Sequence, residues 1–165
     1  NSDLANNYGN LCQRVTAFAI KNCDGKIPLE IKFNEDDLLI LNKYKNNIDN
    51  LRSQIDNQNI NFYIDYIVNS LFEANKYFND QEPWQKKDDI IRLNTIVYTT
   101  LEIVRKISFL LYPIIPESAL KALKIFNIKE KDIKLDTVSN NDYLKKGNNI
   151  NKIDILFKKI EKNND

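Results

Sequence analysis

Apolar residues return at steps of three and four through most of this chain, which is the period of an α-helix and not of a strand. Leu4, Tyr8, Leu11, Val15 and Phe18 form a first stripe. Leu38, Leu41, Tyr44, Ile48, Leu51 and Ile55 form a second, and Ile60, Ile64, Ile67, Leu71, Ala74 and Phe78 a third. Leu93, Val97, Leu101, Val104, Ile107 and Leu111 form a fourth. Each stripe leaves one helix face to be covered. Four or five antiparallel helices with short connections cover one another, so the expected fold class is all-α, an antiparallel helix bundle. With 3 Gly and 4 Pro in 165 residues, there is little turn chemistry for many short strands.

The breaks between stripes are legible too. Asp24-Gly25 closes the first region and starts a connector through Pro28 and Phe33. Asn34 ahead of Glu35, Asp36 and Asp37 reads as a helix cap followed by acids against the positive end of the helix dipole. Asn79 to Pro83 interrupts the third stripe. Pro113 and Pro116 stop the fourth, and Pro116 opens a short helix running to Phe126. The bundle is therefore expected over 1–126. Residues 127–151 read as a polar, Asn- and Lys-rich connector, extended or poorly ordered. Residues 152–165 hold a last apolar patch, Ile153, Leu156, Phe157 and Ile160, expected to pack back onto the bundle.

Several function classes are disfavoured. There is no apolar run of transmembrane length and no signal peptide, so no membrane role is expected. Met is absent even at position 1, so the chain reads as a piece of a longer protein. Cys12 and Cys23, with no His anywhere, cannot complete a zinc site; they read as reduced thiols, with a disulfide between them as the alternative. No His base, phosphate-binding glycine loop or nucleophile elbow occurs. The acidic pairs Asp36-Asp37 and Asp88-Asp89 sit at helix starts, where capping accounts for them. No catalytic, cofactor-binding or metal-binding residues are expected in this chain. Net charge is +1, from 24 basic and 23 acidic residues. A nucleic-acid contact must then be local.

Two features suit such a contact. Asn6, Asn10 and Arg14 are spaced four apart on the first helix, so they form one ridge. At about 100° per residue, that ridge lies roughly 120° from the centre of the apolar stripe, beside the core. Asn offers a donor and an acceptor and Arg a fork of donors, which fits the edge of an unpaired base. A solvated face fits the same spacing. Trp84, the only Trp, lies on the polar break Asn79-Asp80-Gln81-Glu82-Pro83-Trp84-Gln85. It is either a lid over the bundle end or an exposed platform of the kind that holds splayed RNA bases.

Taken in order, three stretches resemble the C-terminal domain of methionyl-tRNA synthetases, class I enzymes. They are Asp3-Leu4-Ala5-Asn6 with Gly9-Asn10-Leu11, Arg14 and Phe18; Ala74-Asn75-Lys76-Tyr77-Phe78 through Gln81-Glu82-Pro83-Trp84; and Pro113-Ile114-Ile115-Pro116-Glu117-Ser118-Ala119 with Lys121 and Leu123. Leu156 to Glu161 is a weaker fourth. The resemblance implies a class I anticodon-binding helix bundle that receives the CAU anticodon loop of methionine tRNA, in a cytoplasmic ligase. It implies Asn10, Arg14 and Trp84 as anticodon readers, with Asn6 on the same ridge. ATP, Mg and the zinc common in the family would belong to the catalytic domain of the same parent chain, so this segment alone would be inactive. The implied partners are that domain and tRNA, neither DNA nor a membrane. Two alternatives stay open: the helical domain of another class I synthetase, such as the cysteine, valine or leucine enzyme, or a non-catalytic helical protein-interaction domain.

Overall fold

A computed structural model describes residues 2–153. Five α-helices carry the fold: α1 (Ser2–Asn22), α2 (Glu35–Asp56), α3 (Ile60–Gln81), α4 (Ile90–Leu111) and α5 (Pro116–Leu123). No strand occurs among the described residues; one isolated antiparallel bridge joins Lys26 and Asn149. The caps follow local chemistry. Asn34 and Asp37 form a reciprocal capping box, Asp37 N donating to Asn34 Oδ1 at 3.1 Å and Asn34 N to Asp37 Oδ2 at 2.9 Å. Asp89 caps α4 by accepting from Arg92 N at 3.1 Å. After α1 the backbone turns through Asp24 and Gly25, at φ 54° and 66°, a left-handed pair that glycine relieves.

Side-chain pairs fix the helix directions. Tyr8 bonds Ser108 and Cys23 meets Asn94, so α1 and α4 run antiparallel. Tyr63 donates to the Leu110 carbonyl and Arg92 to Gln81, so α3 and α4 do the same. Tyr77 meets Asp37 and Lys43 meets Glu73, which makes α2 and α3 antiparallel. Four helices thus alternate in direction along the chain, as the four stripes predict.

α4 departs from a one-sided stripe. Every residue from Thr95 to Leu111 is buried, including Glu102, Arg105 and Lys106. A helix buried all round is a central helix, and α1, α2, α3 and α5 all pack on it.

The remaining cover comes from the stretch read as a connector. Residues 127–151 are neither loose nor detached: Val138, Leu144 and Ile150 are buried, and the segment forms a strap over α4. Its polar composition conceals this because backbone groups hold it. Arg105 donates to the carbonyls of Thr137 at 2.8 Å and Asn140 at 2.7 Å. Glu102 accepts from Leu144 N at 2.6 Å, and Tyr98 donates to the Leu144 carbonyl at 2.9 Å. Lys106 donates to Asn141 Oδ1 at 2.6 Å. Glu102 and Arg105 also pair with each other at 2.6 Å, both side chains fully buried. Removing one member of such a pair strands a charge, at a cost of about 3–5 kcal/mol. The apolar patch expected at Leu156, Phe157 and Ile160 lies outside the described residues; Ile153 packs on the core.

Candidate nucleic-acid interface

The period of α1 decides which of its residues face outward. Leu4, Tyr8, Leu11 and Val15 are buried, and Asn6, Asn10 and Arg14 are exposed. Arg14 donates to Asn79 Oδ1 at 2.5 Å, and its guanidinium carbon lies 5.2 Å from the centroid of the Phe78 ring. That hydrogen bond uses one of five N–H donors, so the fork keeps donors for a ligand.

Trp84 stands beside it. Glu82 adopts a left-handed backbone, φ 47° and ψ 59°, and turns the chain off the end of α3. Pro83, buried, then starts a single 3₁₀ turn, Pro83–Gln85. This sharp exit keeps the Trp84 side chain off the apolar stripe. Its ring meets Phe78 edge-on at 6.0 Å between centroids, and Phe78 meets Phe18 at 5.9 Å. Trp84 is 39% exposed, so it is neither a sealed lid nor a free ring. Part of the ring rests on the core, and about two-fifths of the residue's surface faces solvent.

Arg14 and Trp84 line a single open concavity of about 380 Å³, with Ala17, Lys21, Phe78 and Lys87. Three cations and no acid surround it. In a chain of net charge +1, this concavity is a local concentration of positive charge. The residue pattern does not single out Lys21 and Lys87, although Lys21 follows Arg14 by seven on the same helix face. Asn10 and Asn6 do not line the concavity. They continue the ridge about 6 and 12 Å along the axis from Arg14, at the ordinary helical rise.

The acidic pairs at helix starts divide. Asp89 is a cap, as expected. Asp37 is a cap and also a fully buried carboxylate, paired with both arms of Arg92 at 2.8 and 3.0 Å and accepting from the Tyr77 hydroxyl. Burial pushes its carboxyl up, but the Arg92, Asn34 and Tyr77 hydrogen bonds outweigh this and hold it below the usual carboxylate range. A larger concavity, about 610 Å³, is lined by Lys121, Lys124, Lys129, Lys152 and the acid Glu130 around Leu120 and Ile128; it shares no residue with the first. Among the described residues no group of three or more Cys, Asp or Glu could hold a metal ion. Cys12 and Cys23 are free; burial raises both thiols, Cys23 to about 11, so neither is a ready thiolate.

Residues 27–165 match the family model for the anticodon-binding domain of methionyl-tRNA ligase. The chain belongs to this family. Methionine–tRNA ligase of Brucella suis is 39% identical over 129 residues, 78% of this chain and 25% of that protein. The Thermotoga maritima methionine–tRNA ligase is 32% identical over 163 residues, 98% of this chain and 26% of its own length. Apo methionyl-tRNA synthetase of Mycobacterium tuberculosis superposes with a TM-score of 0.87 at 31% identity, covering 96% of this chain and 32% of that one. The same holds for its form bound to methionyl-adenylate. The chain thus spans about a quarter of the curated methionine–tRNA ligases it matches. The family model begins past α1, yet the Thermotoga match covers nearly the whole chain, the ridge included. The all-α bundle expected from the stripes is the fold shared with these anticodon-binding domains.

Proposed function

We propose that this domain reads the CAU anticodon of methionine tRNA for the catalytic domain of a cytoplasmic methionine–tRNA ligase. The observation that carries the reading is the concavity in which the Arg14 fork and the exposed part of Trp84 meet, ringed by Lys21 and Lys87. Trp84 offers a stacking face that suits any base. Arg14 offers donors that suit an acceptor-rich edge. Cytosine shows acceptors at O2 and N3 and an amino donor at N4, so Arg14 serves the acceptors while an Asn carbonyl takes the amino proton. Uracil presents a donor at N3 and an acceptor at O4, and the same groups then face mismatched partners. Asn10, one turn from Arg14, is placed to serve as that Asn when the loop lies along α1; Asn6 extends the ridge. Lys21 and Lys87, on the rim of the same concavity, offer charge to phosphates of the loop. ATP and methionine are used by the parent's catalytic domain, and no residue here is assigned to them.

The test is affinity for RNA stem-loops carrying CAU or a changed first base. Wild type binds CAU most tightly. Trp84→Ala weakens all loops alike, because stacking tolerates any base. Arg14→Ala weakens CAU most and narrows the gap between loops. Equal affinity of wild type for every loop, or full affinity in both variants, would remove the reading.

A further inference from the structure

Arginine is scarce here, at positions 14, 52, 92 and 105, and Arg92 is the one whose bonds reach the segment carrying Trp84. That segment, 82–89, lies between Gln81 at the end of α3 and Ile90 at the start of α4. Arg92 holds both of its ends. Its NH2 donates to Gln81 Oε1 at 2.7 Å, and its backbone N–H donates to the Asp89 side chain at 3.1 Å. The same guanidinium is fixed by two bonds to Asp37 of α2, a carboxylate with no exposed surface. Asp37 in turn accepts from Tyr77 of α3. Between the clamped ends the segment has few options: Glu82 is left-handed, Gln85 N bonds the Glu82 carbonyl at 2.9 Å, and Lys86 N bonds that of Pro83 at 3.1 Å.

We infer that the Asp37–Arg92–Gln81 chain is a positioning device for Trp84. In it, Gln81 and Arg92 set where the ring stands without themselves touching the base. Two observations separate this from generic packing. First, Gln81 is only partly buried and lies three residues before Trp84, so its bond to Arg92 adds little core. Second, Trp84 stays 39% exposed on the 3₁₀ turn, so packing against Phe78 covers only part of it and the backbone that carries it helps to set its orientation. A partly covered ring on an unrestrained turn would sample more orientations, and ordering it on binding would cost affinity. Asp37 stays ionised at neutral pH, so the clamp stays charged.

The inference rests on reading Trp84 as a base platform, and the test separates the two. Trp84 is the only tryptophan, so its fluorescence reports its environment in the RNA-free chain. Gln81→Ala should red-shift the emission, raise quenching by acrylamide and weaken CAU stem-loop binding about tenfold, within the range of a lost stack. Gln81→Glu keeps an acceptor for Arg92 and should restore both readouts. Arg92→Lys keeps a charge for Asp37 but loses the fork, and should resemble Gln81→Ala. Added to Trp84→Ala, Gln81→Ala should cost nothing further, because both act through one ring. Unchanged Trp84 fluorescence in Gln81→Ala would overturn the inference, and so would a loss of affinity that persists in the Trp84→Ala background. If Trp84→Ala alone leaves RNA binding intact, the platform reading fails, while the fluorescence result still judges the positioning.

Discussion

Arg14 and Arg105 are the same residue put to opposite uses. Arg105 is fully buried in α4, with its donors spent on Glu102 and on two strap carbonyls and its guanidinium 4.5 Å from the Tyr143 ring centroid. Arg14 is exposed, makes one side-chain hydrogen bond, and shares a concavity with an open tryptophan. A buried charge with four of its five donors bonded specifies a fold, because its loss strands partners in a low dielectric. An exposed fork with donors to spare does little for the fold and is available to a ligand. The two regions should therefore respond differently to substitution: the strap cluster in stability, the concavity in RNA affinity.

The largest effect is expected at the strap. Glu102→Ala leaves the Leu144 amide without its acceptor and the buried Arg105 without its counter-charge, and a loss of about 3–5 kcal/mol should follow. At roughly 2–4 °C per kcal/mol for a chain of this size, the melting temperature should drop by on the order of 10 °C. Thermal unfolding checks this, and a drop of a degree or two would show that the cluster is ornamental.

At the concavity the order reverses. Trp84→Ala and Arg14→Ala should each cost about 1–3 kcal/mol of RNA affinity, with a melting temperature close to wild type. The salt dependence should be shallow. Arg14, Lys21 and Lys87 together give a slope of about −2 in log affinity against log salt, at roughly 0.7 per phosphate of a single strand. A much steeper slope would enlarge the site beyond these three cations.

A smaller effect, sensitive to pH, belongs to Lys106. Burial and then neighbouring Arg105 lower its ammonium to about 7, against a partial offset from Glu102. Its pKa is lower in the folded chain than in the unfolded chain, so the unfolded chain binds more protons between pH 7 and 10.5. Its contribution to stability is therefore greatest above that window and is lost as pH falls toward 7. Lys106→Met removes the term, so wild type should gain stability relative to this variant as pH rises from 7 to 9.5. Denaturant midpoints at several pH values check the sign, and a flat difference would refute it. The smallest effect is expected at Asn6, two turns from Arg14 and outside the concavity: Asn6→Ala should change RNA affinity by less than about twofold.

The bundle was legible because its helices carry period and caps in the residues themselves. Asn34, Asp89 and Pro116 mark starts that the structure uses. The strap was not legible, because Asn140 and Leu144 are held through backbone groups, and Asn141 through its side chain, meeting charges on α4, and no spacing rule encodes that. Polar residues inside α4 look like a solvated face until the strap covers them. At the candidate site, the exposure of Arg14 followed from the stripe opposite it. The stance of Trp84 did not follow, since it depends on a left-handed Glu82 and on Arg92, which lies eight residues further on.

The central claim is that Trp84 stands where an anticodon base stacks. Titrating the wild-type chain with the CAU stem-loop while following its single tryptophan tests this directly. Stacking of a base on Trp84 should give a saturable change in its emission together with protection from acrylamide, both weakened when the first anticodon base is changed. Binding of the loop, shown by an independent signal, with Trp84 emission and quenching unaltered would contradict it.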